Sequence, residues 1–453
     1  MKLLPIPPLA RFFPLVLLLL AGDRAARAQN LAFHANQAPL KVGLEPTCVI
    51  AADVNGDGFV DLVTANNGGN TLTILTNTGK GIFVLGANVI VGATGGSGPA
   101  CVAAADLNGD GKLDLVCANE FDGDFVSPGT LSVLTNAGGL RFIQKAVITV
   151  GDLPYWVAVA DFNGDGKPDL VCANSGDTTL TVLTNAGNAV FVPSSTNMVG
   201  GSPFFVLAVD VNGDGLIDLV SANIYPDSVT VLTNNGSGSF ALASTFAAGA
   251  TPASIAAIDI HGAGLPDLIV ADAGENLLTL LANQGAGHFE IFATVNIGSM
   301  PQSVVAADVN GDGFADLISA NSSAKTVSVV TNGGLGRFSP CFTTGAGNEP
   351  YCVAAADVNG DGRIDLICAS LEDSTVTVLT NSGQLALSQP AFSTSTGFRA
   401  ALRGTVGGTN VIQVSTDLVN WTPLLTNVNT NNLWSFTDSA TNLSLRYYRA
   451  VTP

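Results

Sequence analysis

The sequence predicts an all-β fold, a seven-bladed β-propeller followed by a small C-terminal β module. Two observations predict it. The nine-residue stretch Asp53-Val54-Asn55-Gly56-Asp57-Gly58-Phe59-Val60-Asp61 returns at Asp106, Asp161, Asp210, Asp308 and Asp357, and in altered form at Asp259, at intervals of 49 to 55 residues. A fixed period of that length marks a repeat architecture. Each copy is also surrounded by four short strand-like runs, and four strands in so short a unit describe one propeller blade.

The first element precedes the repeats. Residues 1–28 are expected to be a secretory signal peptide: Lys2 and Arg11 come before the apolar run Leu15–Ala21, and Ala26-Arg27-Ala28 fits a cleavage site before Gln29. The arginines near that site are atypical. The apolar run is short for a membrane span and no later stretch supplies a better one, so export without a stable membrane span is expected. The mature chain would be secreted, on the cell surface or periplasmic.

The propeller is expected over 29–390. A proline lies seven residues before each first Asp, at Pro46, Pro99, Pro154, Pro203, Pro252, Pro301 and Pro350, and opens a run of small apolar residues such as Cys101-Val102-Ala103-Ala104-Ala105. Small residues suit the crowded centre of a propeller. After the loop come a second run such as Leu115-Val116-Cys117-Ala118, a third that alternates, such as Thr179–Asn185, and a weaker fourth starting near Phe83, Phe142, Phe240, Phe289 or Phe338. A linear solenoid would show capping repeats at its ends, and none is recognisable. Residues 31–44, with Phe33, resemble a fourth strand with no blade in front of it, while Leu387 stands at the corresponding position of the last repeat. Residues near Phe33 are therefore expected to close the ring on the last blade.

The nine-residue loop carries the clearest chemistry. Asp at positions 1, 5 and 9, Asn at position 3 and a main-chain carbonyl at position 7 form an all-oxygen shell suited to Ca²⁺, and glycines at 4 and 6 let the loop turn back on itself. The candidate ligands are Asp53, Asn55, Asp57, Phe59 and Asp61; Asp106, Asn108, Asp110, Lys112 and Asp114; and Asp161, Asn163, Asp165, Lys167 and Asp169. The remaining loops supply Asp210, Asn212, Asp214, Leu216 and Asp218; Asp308, Asn310, Asp312, Phe314 and Asp316; and Asp357, Asn359, Asp361, Arg363 and Asp365. Phe, Lys, Leu and Arg in these sets contribute the carbonyl.

An EF-hand would end with Glu at position 12 and lie between helices. Here that position is Thr64, Cys117, Cys172, Ser221, Ser319 or Cys368, within an apolar run, so the loop belongs in a β-hairpin. The bland alternative is a metal-free turn, in which three clustered carboxylates would repel one another. The copy at Asp259 has His261 and Ala263 at positions 3 and 5 and keeps only Asp259 and Asp267. It is expected to keep its blade and lose its ion, leaving about six structural Ca²⁺.

The formal net charge is −19, with 47% apolar and 12% charged residues and 51 glycines. These values fit a turn-rich β protein rather than a disordered acidic chain. Such a balance gives no electrostatic attraction to nucleic acid. Among seven cysteines, Cys101 with Cys117, and Cys352 with Cys368, flank metal loops symmetrically. Each pair would bridge a hairpin, or all would serve as small buried apolar residues.

The blade end opposite the loops gathers Glu120, Asp122, Asp124, Asp177, Asp227, Asp272, Glu275, Glu372 and Asp373, and aromatic residues follow its prolines at Tyr155-Trp156, Phe204-Phe205 and Tyr351. This is either an ordinary solvated rim or a face that grips a sugar or an extended peptide. Residues 391–453 carry strand-like runs at Val411–Ser415, Trp434–Thr437 and Arg446–Ala450, with Trp421 as a core candidate. They resemble short C-terminal β modules of secreted bacterial proteins, which imply no particular activity.

Loop, spacing and repeat count together resemble the FG-GAP (VCBS-like) family, whose best-known example is the seven-bladed head of integrin alpha chains. The resemblance covers roughly 31–390. It implies that the loop aspartates and asparagines, for example Asp106, Asn108, Asp110 and Asp114, bind structural Ca²⁺ away from the usual ligand face. The chain departs from the family in the loop at Asp259 and in lacking a strict Phe-Gly pair before each blade. No Ser-His-Asp or Cys-His arrangement is suggested by the three histidines, His34, His261 and His288. The expectation is a non-catalytic scaffold for adhesion or for binding an extracellular glycan or protein. The alternatives are a polysaccharide lyase or hydrolase, with a carboxylate pair near Glu120–Asp124 as its mark, and a purely structural spacer.

Overall fold

The computed structural model describes residues 31–91, 98–120, 128–334 and 336–382 and the strands of 386–451. The expected signal peptide lies outside the described residues. No helix among the described residues is long and apolar enough to cross a membrane.

Seven antiparallel sheets form the propeller, a compact unit spanning Phe33–Asn381. Each inner strand starts on a blade proline: Pro46–Ala52, Pro99–Ala105, Pro154–Ala160, Pro203–Val209, Pro252–Ile258, Pro301–Ala307 and Pro350–Ala356. Proline, which lacks an N–H, is tolerated at the first position of a strand. A bulge follows it in every blade, for example between Pro46 and Cys48. The last three residues of inner strands such as Pro46–Ala52, Pro99–Ala105 and Pro350–Ala356 are only half-buried.

The second strands, such as Asp61–Asn66, Asp114–Asn119 and Asp365–Ser370, are buried along their whole length. Packing between blades on both faces explains why these runs are apolar without alternation. The core spans neighbouring blades: Leu62 of blade 1, Leu115 of blade 2, Leu170 of blade 3 and Ile367 of blade 7 belong to one cluster. Burying each such side chain stabilises the ring by roughly 1.5–3 kcal/mol. The outer strand Phe83–Ile90 buries its first aromatic residue, Phe142, Phe191 and Phe240 are half-buried at the matching position, and the following side chains reach solvent.

The ring closes on the N-terminal segment. Phe33–Ala35 and Leu40–Lys41 pair with the third strand of blade 7, Thr375–Asn381, with Phe33 opposite Asn381 and Leu40 opposite Val376. Phe33 is buried and lies 5.1 Å from the ring of Phe342 in blade 6. That edge of blade 7 is thereby filled, so the segment around Leu387 cannot supply the fourth strand. Ala386–Ser393 pairs instead with Gly397–Arg403. The propeller therefore ends at Asn381 and not near 390. The C-terminal module has two three-stranded sheets, one with Leu433–Asp438 and the other joining Thr409–Ser415, Thr422–Val428 and Tyr447–Val451. Trp421 lies outside the described residues.

The hairpin register also decides between the two readings of the cysteines. Cys101 pairs with Ala118 and Val102 with Cys117; Cys352 pairs with Ala369 and Val353 with Cys368. An offset of one residue places the two cysteines of each hairpin on opposite faces of the sheet. The intrablade disulfides are excluded, and the six cysteines with described side chains are buried and unbridged in this structure.

Candidate functional site

In each full repeat the loop joins the inner strand to the second strand. In the first, Asp53 Oδ1 accepts the amides of Gly56 and Asp57 at 2.7 and 3.2 Å, and Oδ2 accepts that of Gly58 at 2.8 Å. Asn55 Oδ1 accepts the Asp57 amide at 2.8 Å, and Asp57 Oδ1 accepts that of Phe59 at 2.9 Å. The same contacts return around Asp106, Asp161, Asp308 and Asp357, and the loop at Asp210 keeps most of them. Gly56 and Gly58 have φ of 79° and 89°, a left-handed conformation that a side chain would strain.

Position 9 lies beneath this turn. Asp61, Asp114, Asp169, Asp218, Asp316 and Asp365 are completely buried. One oxygen of each accepts the amide of the Asn that ends the third strand, as in Asn77 to Asp61 at 2.9 Å and Asn381 to Asp365 at 2.7 Å. In five loops the other oxygen accepts the position-2 amide at 3.1 Å. Asp61 Oδ2 has no hydrogen-bond partner. Burial, reinforced by the neighbouring loop aspartates, pushes Asp61 up to about 6 and Asp316 and Asp365 up to about 7. Burial raises Asp114, Asp169 and Asp218 as well. A cation close by would reverse that cost.

Two local devices offset the charge of position 5 or 9. Where position 7 is Phe or Leu, the position-3 amide turns its NH₂ to a carboxylate: Asn55 to Asp57, Asn212 to Asp214 and Asn310 to Asp316, at 2.9, 3.0 and 3.4 Å. Where position 7 is basic, its side chain covers position 5: Lys112 on Asp110, Lys167 on Asp165 and Arg363 on Asp361, at 3.0, 2.8 and 3.2 Å. The donor set and the unpartnered Asp61 oxygen fit a hard divalent cation. Among the described residues, however, no three acidic, imidazole or thiol side chains already converge as a cage. The carboxylates are turned to backbone amides and to these Asn, Lys and Arg partners.

The altered fifth loop uses a third device. His261 Nδ1 lies 2.8 Å from Asp267 Oδ2, and its ring meets Phe292 edge-on at 4.7 Å. Asp259 still accepts the amides of Ala263 and Gly264. An imidazole thus partners the position-9 carboxylate, and the turn persists with two acids.

Sequence reasoning did not assign the residue that joins these loops to one another. In six blades the Asn ending the third strand, within the recurring Asn-x-Gly, sends Nδ2 to two carbonyls. One belongs to its own loop and one to the preceding blade: Asn136 to Leu113 and Val54, Asn185 to Pro168 and Leu107, Asn234 to Ile217 and Phe162. Asn77 makes the same contact across the ring junction, to Val358 of blade 7 at 2.7 Å. The Asn-x-Gly repetition was the available signal, but it reads equally as an ordinary turn.

At the opposite end, three of the acidic residues serve the turns. Asp177 accepts the Asp152 amide at 2.6 Å, Asp227 that of Thr251 at 2.8 Å, and Asp373 the main-chain and side-chain N–H of Asn348. Glu120 accepts from Asn67 Nδ2 at 3.1 Å and is raised by burial. Asp272 is buried against Thr279 and pushed up to about 7 by that burial. Asp122 and Asp124 lie outside the described residues. The aromatic residues converge instead: Tyr155 stacks on Phe204 at 3.6 Å, and its hydroxyl meets that of Tyr351, from across the ring, at 2.5 Å. Beneath this group, past Trp156 and Phe205, the inner strands enclose a cavity of about 520 Å³ lined mainly by small apolar residues such as Ala51, Ala257 and Ala355.

Comparison with known proteins gives one family. The FG-GAP-like repeat matches at 53–117, 122–172, 161–221, 210–270, 259–319 and 308–368, and a related FG-GAP repeat matches at 102–134. No curated protein sequence matches the chain. Among solved structures, BBS1N in complex with ARL6DN, soaked with mercury, is similar at 14% identity and a TM-score of 0.56, covering 78% of this chain and 97% of that one. A crystal of the same complex soaked with lead gives 0.54. A provisionally assigned 6-phosphogluconolactonase from Bacteroides uniformis is similar at 15% identity and a TM-score of 0.50, covering 71% and 93%. At these identities the likeness concerns the fold alone.

Proposed function

This chain belongs to the FG-GAP-like repeat family, and from that premise we propose that it is a calcium-stabilised, non-catalytic binding scaffold whose partner is an extracellular glycan or protein. The metal would be held by the position 1, 3, 5 and 9 side chains and the position 7 carbonyl of the six full loops, from Asp53–Asp61 to Asp357–Asp365. Bound there, Ca²⁺ supplies the positive charge that the buried position-9 carboxylates lack, so that ion binding becomes folding free energy. The unpartnered, fully buried Asp61 oxygen supports this most directly.

The observation that carries the binding role is the aromatic group of Tyr155, Phe204 and Tyr351 at the channel mouth, on the face away from the loops. Aromatic faces recognise sugars and extended peptides by stacking. Asp177, Asp227 and Asp373 around them are held by main-chain amides, an arrangement suited to holding a partner more than to acid–base chemistry. Secretion, taken from 1–28, and the low positive charge set the partner apart from nucleic acid.

A glycan-array and polysaccharide-depolymerisation screen of the mature chain, in calcium and in chelator, tests the reading. Calcium-dependent retention without new chain ends, weakened by Phe204→Ala at unchanged melting temperature, is expected. Release of oligosaccharide products would overturn it.

A further inference from the structure

The seven positions two residues beyond the blade prolines form one belt around the channel: Cys48, Cys101, Trp156, Phe205, Ser254, Ser303 and Cys352. Neighbouring inner strands here lie within one side chain of each other. Thr47 Oγ1 of blade 1 donates to the Ala100 carbonyl of blade 2 at 2.8 Å. Ser254 and Ser303 each accept an amide of the next inner strand, from Val304 at 3.4 Å and Val353 at 3.3 Å. Cys352 accepts the Val49 amide in the same way at 3.3 Å. Cys48 and Cys101 also reach the next inner strand, with Sγ 3.8 and 3.9 Å from the Val102 and Val157 carbonyls, and in addition their own Sγ atoms lie 3.8 Å apart.

We propose that Cys48 and Cys101 are a disulfide pair joining blade 1 to blade 2. A small hydroxyl serves the belt in blades 5 and 6, so interblade hydrogen bonding alone does not require two thiols in contact. The two sulfurs touch across adjoining inner strands, and a bond would bring them to roughly 2.0 Å. The oxidant is a disulfide, such as oxidised glutathione or a disulfide-exchange protein. The Cys48 thiolate attacks one of its sulfurs and releases one thiolate; Cys101 then attacks the Cys48 sulfur and releases the second. Two protein thiols lose their protons and two electrons, and one external disulfide becomes two thiols. Both residues are 1% exposed, and the adjoining Cys101 thiol, with burial, raises Cys48 well above its ordinary value. Exchange therefore belongs to the stage before the blades close on each other. Cys117, Cys172 and Cys368, buried on the second strands, have no such sulfur neighbour among the described contacts and remain thiols.

The test is refolding of the full chain in a glutathione redox buffer, denaturation with alkylation, and tryptic mapping. Cleavage after Lys41, Lys80 and Lys112 separates Cys48, Cys101 and Cys117. Expected is a linked pair of peptides carrying Cys48 and Cys101, lost on reduction, with the other cysteines alkylated. The linked species should melt higher than its reduced form, a shift that Cys48→Ser and Cys101→Ser abolish and Cys117→Ser retains. Full alkylation of Cys48 and Cys101 after oxidative refolding, or a link from Cys48 to Cys352, would overturn the proposal. Because the mapping uses the natural sequence, it does not depend on the variants folding.

Discussion

Replacing Asn136 by Ala removes three hydrogen bonds at once: Nδ2 to Val54 O at 2.8 Å, Nδ2 to Leu113 O at 3.0 Å, and Gly138 N to Oδ1 at 2.9 Å. Each buried bond contributes about 1 kcal/mol net, and a buried group left without a partner costs about 1–3 kcal/mol. The Val54 contact is buried and spans two blades, so water cannot readily replace it. A loss of about 3–5 kcal/mol follows. Asn136→Asp should cost at least as much, since it sets a carboxylate against two carbonyl oxygens. The control is Asn235→Ala, an exposed residue of the blade 4 turn bonded to Ser237, expected to change stability by less than about 0.5 kcal/mol. Urea unfolding followed by the fluorescence of Trp156, packed on Phe205, reads the difference. If Asn136→Ala unfolds within about 1 kcal/mol of the natural chain at unchanged slope, the interblade clamp contributes little and the reasoning fails.

Three further outcomes are expected. In chelator, Asp61 near 6 and Asp316 and Asp365 near 7 bind protons more tightly folded than unfolded. Their penalty is absent below about 4 and grows as pH rises through 7, so melting temperature should be higher at pH 5 than at pH 8. Calcium should narrow or reverse the difference; a metal-free chain that gains stability toward pH 8 would contradict the sign. Lys112→Phe copies Phe59 and Phe314 and releases Asp110, so titration calorimetry should show at least one class of sites binding calcium several-fold more tightly; unchanged or weaker binding would refute competition by Lys112. Deleting 31–41 exposes the Thr375–Asn381 edge, and hydrogen exchange should accelerate first in blade 7 and not uniformly round the ring.

Much of this architecture is visible in the sequence because repetition multiplies weak signals. One Asp-x-Asn-Gly-Asp-Gly loop is ambiguous, but six at near-constant spacing specify hairpins, strand order and blade count. The pairing of the ends was legible in Phe33, whose distance to Pro46 matches that of an outer-strand aromatic. The end of the ring was not legible, since Leu387 is as apolar as an outer strand requires and only the occupied edge of Thr375–Asn381 excludes it. Cysteine facing failed for a different reason. Symmetry about the loop predicts one register, whereas the pairing of Ala105 with Asp114 shifts it by one and turns Cys101 and Cys117 to opposite sides. The Asn clamps were missed because the recurring Asn-x-Gly that carries them reads equally as an ordinary turn, and nothing in a single chain segment shows that its amide reaches the preceding blade.

The closure on Phe33–Lys41 also sets a clock. His34 and Thr380, joined in the finished ring, are 346 residues apart. At roughly 5–20 residues per second of synthesis, the first segment waits about 20–70 s for its partner to be made. Until then one chain end carries an unmatched strand, and afterwards blade 7 briefly offers an unmatched edge. When many copies emerge side by side, the opening strand of one molecule fits the final blade of another equally well. Crowded expression should therefore yield exchanged dimers as its characteristic by-product, and dilution during refolding should suppress them.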